Sequence, residues 1–261
     1  MVARAFFCPH PFVPFFEALD MRAKDISNLS LKANMALFLD FDGTLAPLCD
    51  DAASVSISEE QADLLVDVSK VLDGALAIIS GRDLRDLAPR VPNELWRSGN
   101  HGLFVGPPGS VIPTDFPALP QALSSELGDL IQPMEDVWLE TKGPVAAIHF
   151  RAAPQHEEAV LEGVDEILSR FSDYKQQHGN MIVEAKPIKA NKGNFLRQQM
   201  RQRGFSGRTP VMIGDDTTDE DAFSVAQELG GIAVKVGDGD SCALYRAPKI
   251  SNVYTFLRTA L

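Results

Sequence analysis

The chain has 261 residues, 45% of them hydrophobic and 23% charged, a composition typical of a globular protein with a sizeable core. Its formal net charge of −12 argues against nucleic acid or an anionic membrane as the main partner. No apolar run approaches the ~20 residues that a membrane-spanning helix needs. Three cysteines without C-x-x-C spacing argue against a disulfide framework or zinc site and predict a reducing, cytoplasmic setting.

The first 34 residues are expected to form an extension ahead of the folded protein. They begin apolar, but Pro9, Pro11 and Pro14 interrupt the apolar residues. Neither a continuous hydrophobic stretch nor a small-residue cleavage site follows. The pattern therefore predicts an extension over residues 1–34 and not a signal peptide.

Short apolar runs then alternate with helical patterns. Strands are predicted at 35–41, 75–80, 210–214 and 231–237, and a helix at 58–72. The strands are apolar on both faces, as in a sheet covered by helices on both sides. The pattern predicts an α/β fold with a doubly wound parallel sheet.

The middle of the chain follows a different pattern. Two alternating runs, 137–141 and 145–151, flank a turn and predict an antiparallel hairpin. Helical periodicity follows at 155–171, and a further strand is predicted at 181–184. The segment from 106 to 187 is therefore interpreted as a small α+β unit inserted into the α/β domain.

Acidic residues follow two of the predicted parallel strands. Asp40 and Asp42 end the first strand, and because they are two apart on an extended segment they point the same way. Asp215 ends a later strand and is followed by Asp216 and Asp219. Two such groups at one sheet edge predict a Mg²⁺ ion between them, since Mg²⁺ takes oxygen ligands. The alternatives are a polar turn at the first site and helix capping at Asp219.

A hydroxyl and a lysine complete the candidate site. Ser80 follows the second strand, where it could bond phosphate oxygens beside a helix N-terminus. Lys192 opens a later helix and could hold a phosphate or a carboxylate. Taken singly, a strand-to-helix turn and a surface lysine are the simpler interpretations. Lys186 and Lys189 lie close by, so the assignment of Lys192 is not forced.

In this order these segments resemble the motifs of the haloacid dehalogenase superfamily of phosphohydrolases, with an insertion that resembles its C2-type cap. From about residue 35 to 256 the chain also resembles the bacterial trehalose-6-phosphate phosphatases. The resemblance divides the chain into a core at 35–105 and 188–261 and a cap at 106–187, and leaves 1–34 outside. The motifs that carry it are LFLDFDGTLA (37–46), ISGR (79–82), NHG (100–102), ETKG (140–143), IHFRAAPQHE (148–157), VEAKP (183–187) and GDDTTDE (214–220).

The resemblance implies a reaction through an aspartyl-phosphate. Asp40 would be the nucleophile, and Asp42 would protonate the leaving sugar oxygen and later activate water. Ser80 and Lys192 would hold the phosphate. Mg²⁺ would be held by Asp40, the carbonyl of Asp42, and Asp215, with support from Asp216 and Asp219.

The resemblance also implies a sugar site between core and cap. Its expected residues are Arg82, His101, Lys142, His149, Arg151 and Glu184. For His149 and Arg151 the alternative is a solvated face of the hairpin. The expected partner is a small-molecule sugar phosphate, and the protein is expected to be a monomer. A phosphatase for another sugar phosphate, a non-catalytic phosphosugar-binding regulatory module and a phosphomutase remain alternatives.

Overall fold

A computed structural model describes residues 23–49, 51–179 and 181–261. The prediction that the N-terminus is not a signal peptide falls on residues outside these ranges. Among the described residues, none of the helices combines the length and the apolar character that a membrane crossing needs.

The described residues form twelve β-strands and seven α-helices. The strands are β1 (Lys24–Asp25), β2 (Met35–Asp40), β3 (Leu76–Ile79), β4 (Trp96–Gly99), β5 (Phe104–Gly106), β6 (Trp138–Lys142), β7 (Val145–His149), β8 (Tyr174–Gly179), β9 (Ile182–Pro187), β10 (Thr209–Gly214), β11 (Ile232–Val236) and β12 (Tyr245–Ala247). The helices are α1 (Glu59–Val71), α2 (Leu84–Leu87), α3 (Gln121–Ile131), α4 (Glu157–Leu168), α5 (Lys192–Gln199), α6 (Glu220–Glu228) and α7 (Ile250–Arg258).

Eight strands form the main sheet, in the order β1-β12-β11-β10-β2-β3-β4-β5. Every pairing in it is parallel except β4 with β5. The central strand β2 is apolar on both faces because both are covered. Phe38 packs edge-on against Phe195 of α5, and Leu37 and Leu39, which point to the opposite face, are also fully buried. The α/β fold with a parallel-dominated sheet is thus as predicted from the sequence.

The core begins ahead of residue 35. Strand β1 pairs with β12, and Ile26 and Leu31, which lie within the predicted extension 1–34, are buried in the main apolar core. The structure therefore moves the start of the core to Lys24. A two-residue strand is too short to leave a period in the sequence, which is why the prediction placed this segment outside the fold.

The second sheet is antiparallel, in the order β6-β7-β9-β8. Ile148 and Val183 on one face pack with Leu123 of α3 and Val160 of α4 in a separate apolar cluster. Since side chains alternate along a strand, the residues between these on β7 and β9 point to the other face. That face carries the polar residues that meet the main domain.

Candidate functional site

The candidate site lies where three neighbouring parallel strands end. β2 ends at Asp40, β3 ends just before Ser80, and β10 ends just before Asp215. Because β2 pairs with β3 on one side and with β10 on the other, the sheet brings these three residues to one edge. The predicted site residues that follow strands are therefore neighbours.

Lys192 holds two carboxylates of this edge together. Its Nζ donates to Asp40 Oδ1 at 2.7 Å and to Asp219 Oδ1 at 2.7 Å, and all three side chains are buried. Asn191 fixes the start of α5, since its side chain accepts from Asn194 N at 2.9 Å and so caps the helix on which Lys192 is the first residue. Burial by itself lowers the pKa of Lys192, but the charges of Asp219 and Asp40 outweigh it and raise that pKa.

Three carboxylates crowd together here. Oxygens of Asp40, Asp215 and Asp219 lie within 4.8 Å of one another. Burial raises the pKa of Asp40 well above its ordinary value, against the opposing charge of Lys192, and raises the pKa of Asp215 to about 6 with help from the charge of Asp219. Asp215 Oδ1 is buried without a hydrogen-bond partner in the described chain. Hard oxygen donors, mutual repulsion and an orphaned oxygen fit a divalent cation such as Mg²⁺.

Asp216, expected among the metal residues, lies outside this cluster. Its Oδ1 accepts from Thr217 N at 2.7 Å and caps the short turn that leads into α6. Asp219 instead joins the cluster, where its Oδ2 accepts from the backbone amides of Asp215 and Asp216 at 3.1 Å each. The local sequence does not separate these roles, because both carboxylates follow the same strand.

Asp42 is held by Arg82. The guanidinium makes a bidentate pair, with Nε to Oδ2 at 2.8 Å and Nη2 to Oδ1 at 2.6 Å. Its Nη1 donates to Asp86 Oδ2 at 2.8 Å and to the carbonyl of Ala52 at 2.9 Å. Arg82, expected in the sugar site, therefore contacts the carboxylate expected to be the acid and base. Asp86 was not singled out from the sequence, although its position four residues after Arg82 could have marked a pair.

Ser80 is also buried at the sheet edge. Its Oγ accepts from the backbone amide of Arg82 at 3.1 Å, and its carbonyl accepts from His101 N at 2.9 Å. The hydroxyl proton therefore remains available to an acceptor in the site.

One face of the second sheet packs against α3 and α4, and the opposite face is here called the open face. It carries three of the six expected sugar-site residues, Lys142, His149 and Glu184. Glu140 on β6 pairs with Ala147 on β7, and Ala147 pairs with Glu184 on β9. The side chains of these three residues therefore point to the same face of the sheet. Glu140 Oε2 lies 3.3 Å from Lys142 Nζ and 2.9 Å from His149 Nε2. Glu140 was not named as a site residue from the sequence, although it belongs to the quoted motif 140–143.

The open face meets the main domain at His101. Its Nε2 lies 2.6 Å from Glu184 Oε2, and the neighbouring Asn100 donates to the carbonyl of Lys142 at 2.8 Å. Asn100 and His101 hold positive φ angles of 52° and 57°, an uncommon conformation for residues with a side chain. Burial lowers the pKa of His101, and although burial alone would raise the pKa of Glu184, the charge of His101 and its hydrogen bond lower it to about 2.

Arg151 lies two residues beyond the end of β7 and is exposed in a turn. Two other cations lie within the site: Lys235, which was not singled out from the sequence, and Lys186, which the sequence offered only as an alternative to Lys192. Lys235 on β11 is buried and donates to the carbonyl of Asp215, and Lys186 on β9 is buried beside Glu184. Lys235 is the single charged residue of the otherwise apolar β11, and Lys186 shares β9 with Glu184.

A parallel α/β domain with carboxylates and a lysine at one sheet edge and an inserted sheet over them is a fold shared with solved structures, which include a haloacid dehalogenase-like hydrolase. The trehalose-phosphatase family model matches residues 38–248, which is most of the chain. The chain belongs to the trehalose-phosphatase family, and by class it is a phosphatase.

Individual relatives agree with this assignment. The trehalose-6-phosphate phosphatase of Escherichia coli strain K12 is 35% identical over 232 residues, which cover 87% of this chain and 86% of the relative. The C-terminal domain of trehalose-6-phosphate phosphatase from C. albicans superposes with a TM-score of 0.74 at 22% identity, covering 87% of this chain and 92% of that one.

The fold alone does not decide catalysis. The C-terminal domain of the Candida albicans trehalose synthase regulatory protein superposes with a TM-score of 0.66 at 11% identity, covering 88% of this chain and 99% of that one. A protein whose name describes regulation therefore shares the architecture. The function of this chain has to be argued from its site.

Proposed function

We propose that this protein hydrolyses trehalose 6-phosphate to trehalose and phosphate through an aspartyl-phosphate intermediate. Family membership supports the reaction class and the sugar. One observation carries the mechanism: Lys192 bridges Asp40 and Asp219 at 2.7 Å, so a buried carboxylate is held by a cation at the end of a central strand. A carboxylate fixed in this way is a covalent nucleophile for phosphoryl transfer.

In the first step, a carboxylate oxygen of Asp40 bonds to phosphorus and the bond from phosphorus to the sugar oxygen breaks. Asp42 gives its proton to that oxygen, so trehalose leaves neutral. In the second step, Asp42 takes a proton from water, and the water oxygen attacks phosphorus. The bond to Asp40 breaks, inorganic phosphate leaves, and both carboxyl groups return to their starting states.

The surrounding residues supply position and charge. Lys192 and Ser80 would bind phosphate oxygens, and Arg82 fixes the direction of the Asp42 carboxylate through its bidentate pair. Mg²⁺ would be held by Asp40, Asp215 and the carbonyl of Asp42, and when bound it neutralises charge on the phosphate.

The sugar would lie against the open face of the second sheet. Carboxylates accept from sugar hydroxyls, and the cations donate to them. The proposed contacts are His101, Lys142, His149, Arg151 and Glu184. The proposal includes a monomer acting on a small molecule in the cytoplasm, a setting that the three cysteines without paired spacing support.

The test is phosphate release from a panel of sugar phosphates with Mg²⁺, with Asp40→Asn as the matched variant. This change keeps the shape of the side chain and removes the nucleophilic oxygen. We expect preference for trehalose 6-phosphate, and loss of activity in EDTA and in the variant.

Each other outcome selects a different function. Release from other sugar phosphates alone would keep the mechanism and reject the sugar. Appearance of an isomeric sugar phosphate would indicate a phosphomutase. Binding without any release would indicate a regulatory module.

A further inference from the structure

A buried lysine of the second sheet faces the site, and its ammonium group has no hydrogen-bond partner among the described residues. Lys186 lies on β9 and is only 2% exposed. It is two residues from Glu184, so both side chains point to the same face of the sheet. That face meets the main domain, because Glu184 contacts His101 there.

Other lysines around the site have partners. Lys192 binds two carboxylates, Lys235 binds the carbonyl of Asp215, and Lys142 lies 3.3 Å from Glu140. The ammonium group of Lys186 makes no side-chain hydrogen bond or close ion pair with any other described residue, although the charges of Glu184 and Asp221 act on it. Burying a cation in this way is costly, so such a residue indicates an anionic ligand.

We infer that Lys186 binds the phosphate group of the substrate from the side of the second sheet. The inference rests on the proposed function and goes beyond it, since it assigns a phosphate ligand outside the main domain. The same face would then recognise both halves of the substrate, with Lys186 on the phosphate and Glu184 on the sugar hydroxyls.

The electrostatics of Lys186 agree with this role. Burial lowers the pKa of Lys186 to about 8; the charge of Glu184 opposes this shift, while Lys175 and Lys192 add to it. The ammonium form is therefore destabilised in the structure. An anion beside Lys186 would stabilise the ammonium form and so raise the pKa of this lysine again. The attraction between the two charges would favour binding of the anion.

Isothermal titration calorimetry with two probes tests the inference. Inorganic phosphate represents one half of the substrate and trehalose the other, both with Mg²⁺ present. For Lys186→Met we expect phosphate affinity to fall on the order of ten- to a hundredfold, as for a lost charged hydrogen bond, with trehalose affinity unchanged. Lys189→Met is the matched control, since it removes the same charge from an exposed position three residues later.

Lys186→Arg should keep most of the phosphate affinity, because it keeps the charge. Unchanged phosphate affinity in Lys186→Met, with a wild-type protein that binds phosphate and releases it from trehalose 6-phosphate, would overturn this inference alone. Loss of trehalose affinity, or equal loss of both with a lowered melting temperature, would also overturn it. A wild-type protein that binds neither probe would contradict the proposed function and this inference together.

Discussion

The edge of the main sheet and the open face of the second sheet hold their charges in different ways. At the sheet edge, Lys192 contacts Asp40 and Asp219 at 2.7 Å, and the group is buried. Among the described residues of the open face, only Glu184 has such a contact, with His101, whereas Lys142 lies 3.3 Å from Glu140 and both side chains are partly exposed. The sheet edge therefore fixes its groups, and the exposed pairs of the open face can change partners.

This difference separates two tasks. Phosphoryl transfer needs reacting groups in fixed positions, and mutual ion pairs and a shared edge of parallel strands supply them. Sugar recognition needs several hydrogen bonds of moderate strength, which a polar sheet face supplies. Substitutions at the sheet edge should therefore change the rate of the chemical step, and those on the open face should change binding.

Among substitutions outside the reacting carboxylates, the largest effect is expected from Gly43→Ala. Gly43 has φ of 81°, and a Cβ there would lie 2.0 Å from Asp215 Oδ2, so the carboxylate must move. A displacement of about 1 Å in a group that positions the reactants costs on the order of a hundredfold in rate. We therefore expect kcat for trehalose 6-phosphate to fall at least that far, as measured by phosphate release.

Gly109→Ala is the control. Gly109 has φ of 73°, but a Cβ there meets nothing within 4 Å. Both variants carry a backbone strain of ~1–2 kcal/mol. Gly43→Ala adds the steric contact with Asp215, so it should lose more stability and, unlike Gly109→Ala, also lose activity. Equal activity in the two variants would show that the position of Asp215 does not matter to the chemistry.

The sheet edge could be predicted from the sequence because its information is local. Asp40, Ser80 and Asp215 each follow an apolar run, and parallel strands end at a common edge. Lys192 could be found only as the start of a helix, since its contact with Asp40 spans 152 positions. That Asp219 and not Asp216 joins the cluster depends on the direction of a turn, which the sequence does not reveal.

The open face was harder to predict. Its motif residues came from a resemblance, and their arrangement depends on the register between four strands. The sequence did not predict β8 or α3. β8 is mostly polar and so lacks the apolar alternation of a strand, and α3 begins at Gln121 without the capping side chain that marks a helix start. The contact between His101 and Glu184 joins two parts of the chain 83 positions apart. Local periodicity carries no information about such a contact.

A smaller effect, on stability, is expected from Asp215→Asn. The pKa of Asp215 is raised by burial to about 6 from 3.8. A carboxyl with a raised pKa favours folding in its protonated form, so this contribution is complete below pH 3.8 and is lost as pH rises through about 6. Without metal at pH 8, the variant should therefore be more stable than the wild type by on the order of 2 kcal/mol.

Urea unfolding in EDTA at several pH values measures this difference. It should shrink as pH falls towards 4, because the wild-type carboxyl becomes protonated. Adding Mg²⁺ should stabilise the wild type and have little effect on the variant. A difference in unfolding free energy that stays constant across this pH range would mean that the pKa of Asp215 is not raised in the folded protein.

The smallest effect is expected on the second sheet, which carries two comparable histidines on opposite faces. His149 lies 2.9 Å from Glu140, and His178 lies 3.1 Å from Glu157. Register places His149 opposite Trp138, on the face that meets the main domain, and its ring stacks on that indole at 3.9 Å. His178 is opposite Val183, which belongs to the helix-covered face.

His149→Gln should raise KM for trehalose 6-phosphate about two- to tenfold and leave kcat unchanged, because one uncharged hydrogen bond is worth about 0.5–1.5 kcal/mol. His178→Gln should change neither constant. The two variants lose the same ring and the same type of contact, so a difference in KM reports which face the sugar occupies. Equal KM values would place the sugar away from His149, and a fall in kcat would show that the open face takes part in the chemical step, which would break the division between the two regions.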